Sequence, residues 1–181
     1  MQTVAAKTRL VRIHPLRYSD QPLHFGRNDL GRFNAPAGQF GLLYAAVDVH
    51  CAFVETFGRE LGRQVVSLAE LSQRCLIYVE VTRALRLVDF TGRSLRRIGA
   101  DARLTSGDHD IARRWSLALW QHPSQPDGLY WRSRFDNDRF CAAIYDRAGD
   151  ALTSVDLGAL TEPQHVPLLQ DILDTYGFGL I

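Results

Sequence analysis

Residues 31–55 constrain this chain more than any other stretch, because a glycine-punctuated loop, a short apolar run and a helix start follow one another there. The stretch reads Gly-Arg-Phe-Asn-Ala-Pro-Ala-Gly-Gln-Phe-Gly-Leu-Leu-Tyr-Ala-Ala-Val-Asp-Val-His-Cys-Ala-Phe-Val-Glu. Residues 42–46 have the length of a buried strand, and Asp48 is a residue type that accepts hydrogen bonds from the first N–H groups of a helix. The pattern predicts loop, strand, cap and helix. In that arrangement the guanidinium of Arg32, the phenol of Tyr44 and the carboxylate of Glu55 could point into one cleft.

Composition limits the classes of partner. The chain has 181 residues, of which 46% are apolar, so it can bury one sizeable core, and we expect a single domain over residues 1–181. Its 21 basic and 20 acidic residues give a formal charge of +1. No bulk field therefore favours direct nucleic-acid binding or an acidic membrane surface, and any anion site must be local.

The cysteines and the termini indicate where the protein resides. Cys51, Cys75 and Cys141 are far apart, odd in number and embedded in apolar runs, which favours buried reduced thiols over disulfides. The N-terminus lacks the pattern of a secretory leader, and no apolar run approaches the length of a membrane span. We expect a soluble cytoplasmic protein that does not enter a membrane.

Strand and helix patterns alternate irregularly along the chain. Strands are predicted over residues 8–13, 42–46, 76–82, 85–88, 129–133, 139–145 and, more weakly, 154–157. Helices are predicted from Asp48 to Gly62, between Gly92 and Gly99, from Asp108 to Pro123, and over residues 167–176 with Gly177 at the C-terminal end. This mixture indicates an α+β fold. The polar, glycine-rich residues 16–39 are too long for an ordinary connection and are expected to form a binding loop.

Two helices show which side they should bury. In the first, the apolar positions recur every four residues and leave Glu55 on the opposite side; they are Val49, Phe53, Phe57 and Leu61. In the helix that begins at Asp108, the expected buried side consists of Ile111, Trp115, Ala118 and Leu119. In the first strand, Val11 and Ile13 are expected to face the core, with Arg12 on the other side.

Several common chemistries have no motif in this chain. The adjacent His50 and Cys51, and His109 between two aspartates, do not have the spacing of zinc or calcium ligands, so no metal site is expected. There is no Gly-x-Ser-x-Gly elbow, no Walker loop and no Gly-x-Gly-x-x-Gly. A nucleotide would therefore have to bind without any of these phosphate-binding motifs.

Each remaining candidate has two interpretations. Arg12 and Arg32 either grip a phosphate in bidentate fashion or are solvated, salt-bridged arginines. Tyr44 either stacks on a heterocycle or is a core aromatic residue. Glu55 either stabilises positive charge that develops at a sugar carbon or is a solvated carboxylate. Ser133 either contacts a ligand or supplies a turn hydroxyl before Asp136-Asn137-Asp138.

Taken together, five segments resemble the RES domain family, which is named for its arginine, glutamate and serine. They are Leu-Val-Arg-Ile at 10–13, Gly-Arg-Phe-Asn at 31–34, Leu-Tyr-Ala-Ala at 43–46, Ala-Phe-Val-Glu at 52–55 and Tyr-Trp-Arg-Ser-Arg at 130–134, in the order expected for the family. The resemblance extends over nearly the whole chain and includes Ile-Ala-Arg-Arg-Trp at 111–115.

The resemblance implies an α+β fold similar to the ADP-ribosyltransferase toxins, and cleavage of the nicotinamide–ribose bond of NAD⁺. It also implies a toxin that is neutralised by an Xre-type helix-turn-helix antitoxin. The family arginine falls on Arg12 or Arg32, the tyrosine on Tyr44, the glutamate on Glu55 and the serine on Ser133. Asn34 joins the arginines, Tyr44 and Ser133 as an expected contact of the dinucleotide. Phe33 stands where members of the family commonly have tryptophan, which keeps an aromatic ring.

The expected mechanism follows from these assignments. The arginines hold the pyrophosphate, Tyr44 packs on nicotinamide or its ribose, Ser133 binds the ribose or the amide, and Glu55 stabilises an oxocarbenium-like transition state. No cofactor is needed, since NAD⁺ is the substrate. Water as acceptor would make a glycohydrolase, inorganic phosphate a phosphorylase, and a protein side chain an ADP-ribosyltransferase. The alternative from another class is a non-catalytic nucleotide-binding protein.

Overall fold

A mixed sheet of eight strands forms the centre of the fold in the computed structural model, which describes residues 1–28, 30–60 and 62–181. In this part of the chain the strands are β1 Gln2–Val4, β2 Arg9–Pro15, β3 Leu42–Ala46, β4 Val65–Val66, β5 Arg74–Val81, β6 Leu85–Asp89, β7 Gly128–Arg132, β8 Phe140–Tyr145, β9 Leu152–Ala159 and β10 Gly179–Leu180. The helices are α1 Val49–Phe57, α2 Leu68–Ser72, α3 Gly92–Arg97, α4 Arg103–Ser106, α5 His109–Trp120 and α6 Val166–Tyr176. The α+β class is therefore confirmed.

The large sheet has the order β1-β6-β7-β8-β3-β2-β5-β9, while β4 and β10 form a separate parallel pair. Its neighbouring strands run antiparallel except for β6 and β7. Strand β2 is in register with β5 over its whole length, from Arg9 to Pro15. Its described register with β3 consists of the single pair Val11 and Ala46. The sheet thus opens between β2 and β3, and this opening positions the site described below.

Both faces of the sheet carry buried side chains. Ile77, Val79 and Val81 share one face of β5 and are all buried, as their alternation predicts. Neighbouring positions on β2 are also both buried: Leu10 belongs to the cluster on that face and Val11 to the cluster on the other. Val11 and Ile13 thus lie against the core that the helices cover, as expected, and Leu10 lies against a second core on the other face, which short helical turns and loop residues cover.

Helix α1 begins where the sequence predicts and ends earlier. The Oδ1 atom of Asp48 accepts a hydrogen bond from the N–H of Cys51 at 2.9 Å, so the predicted cap is present. The helix ends at Phe57 rather than near Gly62. At Gly58 the chain turns so tightly that a Cβ atom would lie 2.7 Å from the carbonyl oxygen of Val54, and glycine permits this early exit. The predicted stripe position Leu61 lies outside the described residues.

Helix α5 confirms its cap but buries a different side. Asp108 accepts a hydrogen bond from the N–H of Asp110 at 2.8 Å. The fully buried residues are Ala112 and Ser116, whereas Ile111 is 52% exposed, so the predicted side is wrong for Ile111, and Ala118 is exposed as well. The physical reason is the buried hydroxyl of Tyr145, which donates to the carbonyl of Ser116 at 2.9 Å and draws the small residues of the helix toward β8.

Other elements differ from expectation mainly in length. Residues 154–157 are the middle of the eight-residue strand β9, and the short elements β1, β4, β10, α2 and α4 have no predicted counterpart. Gly177 closes α6 with φ +67°, as its position predicts. Residues 16–39 contain the short helical turn Leu16–Tyr18 and a bridge from Gly26 to Leu42. No helix in the described part of the chain is long and apolar enough to cross a membrane.

Candidate active site

A cavity of about 380 Å³ lies at the opening between β2 and β3. Its walls come from both strands, from α1 and from the loop before β3. Four of the six side chains expected to form a site line it, namely Arg12, Asn34, Tyr44 and Glu55. Ser133 reaches the same place through a hydrogen bond to Glu55. The structure therefore brings five of the six together from widely separated parts of the chain.

Arg12 places a positive charge at the opening of the sheet, inside this cavity. Its Nη1 atom donates to the main-chain oxygen of Tyr44 at 2.7 Å, at a point where β3 is not paired with β2. Its Nε atom is buried and has no hydrogen-bond partner among residues 1–28, 30–60 and 62–181. Burial lowers the pKa of Arg12 from 12.5 to about 10, so the group is still cationic at neutral pH. Within the described residues no carboxylate lies within 4 Å of it, which leaves a buried charge without a counter-ion.

Tyr44 holds the loop that forms the cavity wall. Its hydroxyl accepts a hydrogen bond from the N–H of Phe33 at 2.9 Å and donates to Oδ1 of Asn34 at 2.8 Å. Asn34 in turn donates to the main-chain oxygen of Asn28 at 2.7 Å. Burial raises the pKa of Tyr44, so the hydroxyl keeps its proton. The hydroxyl is thus already committed to the loop, and the ring is the part of Tyr44 that a ligand can meet.

Gly31 makes this arrangement possible. A Cβ atom at position 31 would lie 2.6 Å from the hydroxyl oxygen of Tyr44 and 2.2 Å from Oδ1 of Asn34. Any side chain there would displace the pair of hydrogen bonds that hold the loop. The glycine in Gly-Arg-Phe-Asn is therefore required by close approach rather than by a positive φ angle.

Glu55 and Ser133 form the polar pair opposite. The hydroxyl of Ser133 donates to Oε1 of Glu55 at 2.7 Å, and Ser133 itself is fully buried. The same hydroxyl oxygen accepts from the N–H groups of Phe135 at 3.1 Å and Asp136 at 3.3 Å, so its proton points to the carboxylate. In the described part of the chain, Oε2 of Glu55 accepts no hydrogen bond and no cationic side chain lies within 4 Å of the carboxylate.

The Glu55 carboxylate has a second neighbour that sequence reasoning did not assign to the site. The thiol of Cys141 lies 3.5 Å from Oε1 of Glu55 and 3.5 Å from the sulfur of Cys51. The hydrogen bond with Cys51 and burial raise the pKa of Cys141, so this sulfur is a protonated weak donor. All three cysteines are buried and free, as predicted.

Arg32 lies beside the cavity and does not line it. Its Nη1 atom donates to the main-chain oxygen of Gly107 at 2.6 Å, which ties the loop to the segment before α5. Burial, and then the positive charge of Arg134, lowers the pKa of Arg32, while the negative charge of Glu55 acts in the opposite direction. Arg32 therefore lies near enough to Glu55 for the two charges to interact, but of the two arginines expected from the sequence only Arg12 lines the cavity.

Several lining residues were not identified from the sequence, although their spacing carried a signal. His14 lies two positions after Arg12 on β2, and Arg59 lies one helical turn beyond Glu55. Residues at these separations share a strand face or a helix face. Trp131 and Arg74 also line the cavity, and their positions depend on strand pairing that the sequence does not reveal.

Comparison with known proteins gives three similarities. The family model of the RES domain matches residues 9–169. The probable toxin y4kH of Sinorhizobium fredii (strain NBRC 101917 / NGR234) is 33% identical over 122 residues, which cover 66% of this chain and 93% of that protein. A chain in the crystal structure of the M. tuberculosis MbcT–MbcA toxin–antitoxin complex has a similar fold. Its TM-score is 0.67 at 18% identity, with 95% of this chain and 92% of that chain covered.

Proposed function

This chain belongs to the RES domain family, and on that premise we propose that it cleaves the nicotinamide–ribose bond of NAD⁺ as the toxin of a toxin–antitoxin pair. Its similarity to the probable toxin y4kH, and the shared fold with a chain of a toxin–antitoxin complex, support the toxin role. The reaction is supported by the chemistry of the cavity.

The observation that carries the proposal is a pair of opposite charges, neither of which has an ionic partner in the described residues. Arg12 is a buried cation in the cavity and Glu55 is a carboxylate lining the same cavity. A charge that is removed from water without an ionic partner destabilises the protein. A ligand with an anionic part and a cationic part would supply a partner for Arg12 and for Glu55. NAD⁺ has these two parts, in its pyrophosphate and its nicotinamide riboside.

In the proposed reaction Arg12 binds the pyrophosphate and Tyr44 presents its ring to nicotinamide or the attached ribose. The electron pair of the glycosidic C–N bond moves to the nicotinamide nitrogen, which leaves as a neutral molecule. Positive charge develops at the ribose carbon as the bond breaks, and the free Oε2 atom of Glu55 stabilises it electrostatically. An oxygen of water or of inorganic phosphate then bonds to this carbon, and water gives up a proton to the solvent. The hydrogen bond from Ser133 to Oε1 keeps the carboxylate in a single orientation. Asn34 and Arg32 hold the loop that closes the cavity.

The test is release of nicotinamide from NAD⁺ by the purified protein, measured with and without inorganic phosphate. Glu55→Gln removes the charge at nearly constant volume and should lower the rate by about 100-fold or more, as loss of a stabilising charge at a reacting centre does. Glu60→Gln is the matched control, because this glutamate is 74% exposed and outside the cavity lining. Acceleration by phosphate identifies a phosphorylase, and turnover without it a glycohydrolase.

Two results would redirect the proposal. If wild type and Glu55→Gln are equally inert toward NAD⁺ in both buffers, the protein does not turn over NAD⁺ in isolation. Mass added to a protein target would then indicate ADP-ribosyl transfer, and nucleotide binding without turnover a non-catalytic binding protein.

For the partner, we propose an antitoxin of the Xre type that covers the loop of residues 16–39. This loop forms one wall of the cavity through Tyr18, Gln21, His24 and Asn28. Co-expression with the antitoxin should protect the loop from limited proteolysis. Unchanged cleavage within residues 16–39 in the complex would show that the antitoxin binds elsewhere.

A further inference from the structure

A second groove adjoins the cavity. Its volume is about 600 Å³, and it is bounded by the end of α1, by β4 and by α2. The two spaces share four lining residues: Pro15, Thr56, Arg59 and Arg74. Two of these four are arginines, so the passage between the cavity and the groove is positively charged.

Three arginines line this groove from three different segments of the chain. Arg74 is the first residue of β5 and lies opposite Pro15 of β2. The turn that carries Arg17 is held beside it, because the N–H of Leu16 donates to the carbonyl of Gln73 at 2.8 Å. Arg59 follows α1, and its Nε atom donates to the main-chain oxygen of Glu55 at 2.8 Å. Main-chain contacts therefore place Arg17 and Arg74 side by side, while the side chain of Arg59 is tied to the end of α1.

No ion pair neutralises these three arginines in the described part of the chain. Among the described residues no carboxylate oxygen lies within 4 Å of the guanidinium groups of Arg17, Arg59 or Arg74. Burial, and then the positive charges of Arg59 and Arg17, lowers the pKa of Arg74. The cluster thus concentrates like charges, and an anion would relieve their repulsion.

The carboxylates of the groove are occupied by a fourth arginine. Both oxygens of Glu70 accept from Nη2 of Arg63, at 2.7 and 2.8 Å, and Glu60 lies 3.9 Å from Nη1 of the same residue. Glu70 also accepts from the N–H of Ser67 at 2.9 Å. The groove therefore has one arginine with internal counter-ions and three without them.

We propose that Arg17, Arg59 and Arg74 form a subsite for a phosphate group, separate from the anion contact at Arg12. A phosphate dianion offers several oxygens to converging guanidinium forks, which a single carboxylate cannot match. The group is either free inorganic phosphate or a phosphate carried by the nucleotide, such as the 2′-phosphate of NADP⁺. Its place next to the NAD⁺ cavity rests on the proposed function, whereas phosphate binding itself does not.

The experiment is isothermal titration calorimetry on the full chain carrying Glu55→Gln, so that no nucleotide is consumed. Inorganic phosphate is titrated at constant ionic strength maintained with NaCl, and NADP⁺ is compared with NAD⁺. Adding Arg74→Gln should weaken binding of the phosphate-bearing ligand about tenfold, the typical value of a charge-assisted hydrogen bond. Arg17→Gln, at an exposed position, should weaken it in the same direction without affecting folding. Arg103→Gln is the matched control and should change it less than about twofold, because its exposed guanidinium is paired with Asp101 at 2.7 Å and lies outside the lining of the groove.

The outcomes separate the two sources. Saturable binding of inorganic phosphate that depends on Arg74 identifies free phosphate. An affinity for NADP⁺ above that for NAD⁺, lost in Arg74→Gln, identifies the nucleotide phosphate. The subsite is refuted if neither ligand responds to Arg74→Gln and Arg17→Gln, or if Arg103→Gln weakens binding equally. Because these titrations measure binding alone, a lack of NAD⁺ turnover would leave their result unaffected.

Discussion

Replacing Arg12 by methionine should make the free protein more stable while it weakens the proposed ligand binding. The side chain is partly exposed at the opening between β2 and β3, but its Nε atom is buried and has no partner among the described residues. Burial lowers the pKa of Arg12 from 12.5 to about 10. At about 1.4 kcal/mol for each pH unit, this corresponds to about 3 kcal/mol against the charged form in the folded state.

Methionine removes that penalty and fills a similar elongated space. It also removes one hydrogen bond, from Nη1 to the carbonyl of Tyr44 at 2.7 Å, which costs about 1 kcal/mol. The net expectation is a gain of about 2 kcal/mol in the free energy of unfolding. For a chain of this size this corresponds to an increase in Tm of about 4–8 °C. The expected gain arises because the charge of Arg12, which the proposed function requires, destabilises the folded protein.

The assay is urea and thermal unfolding of wild type and Arg12→Met, each with and without NAD⁺ on a Glu55→Gln background. NAD⁺ should raise the Tm of the protein with Arg12 and have little effect on the methionine variant. The control is Arg9→Met on the same strand, whose guanidinium is exposed and paired with Glu80 at 2.7 Å. It should change the free energy of unfolding by no more than about 0.5 kcal/mol. A loss of stability in Arg12→Met, greater than that in Arg9→Met, would show that the buried charge is compensated in the free protein and would refute the reasoning.

Three further predictions concern the same cavity. Ser133→Ala should lower kcat about 10- to 100-fold, because Glu55 loses the charge-assisted hydrogen bond that orients it. Steady-state kinetics test this prediction. An unchanged kcat would exclude the orienting role of Ser133. Tyr44→Phe should lower the free energy of unfolding, measured in urea, by about 1–3 kcal/mol, because Asn34 loses its buried hydrogen-bond donor. A change below about 0.5 kcal/mol, which is typical of surface substitutions, would contradict this prediction. Burial, and then the Arg12 charge, lowers the pKa of His14. The unfolded chain therefore binds more protons at His14 than the folded protein does, and stability should fall as pH decreases below about 6.5. In thermal unfolding measured at several pH values, the Tm of His14→Gln should fall less steeply than that of wild type. The same slope of Tm against pH in both proteins would contradict this prediction.

Local sequence signals were sufficient for most of the secondary structure. The cap at Asp48, the alternation in β5 and the glycine at position 177 each act within a few residues, so they can be read without knowledge of the fold. The end of α1 was missed although its signal at Gly58 is local, because the apolar stripe continues to position 61. The buried side of α5 could not be predicted in this way, because it depends on the contact of Ser116 with Tyr145, which lie far apart in the chain.

The candidate site divides in the same manner. The RES-like motifs identified Arg12, Arg32, Asn34, Tyr44, Glu55 and Ser133 as a set, but not their arrangement. Their separate positions are compatible with a solvated carboxylate at 55, whereas the structure gives a half-buried one in contact with Ser133 and Cys141. The arginines at 59 and 74 acquire their importance only because β2, β5 and the end of α1 come together.

The sequence alone determined the kind of chain this is: an α+β domain with reduced cysteines, a glycine-rich loop before a capped helix, and the residue types of the RES family. These properties depend on local backbone preferences and on hydrophobic periodicity, which are encoded residue by residue. Only the tertiary structure decided that β2 separates from β3 after a single pair, and that a cation without a counter-ion and a carboxylate then line one cavity. Charge pairing and desolvation depend on distances between segments, and those distances exist only once the sheet has formed.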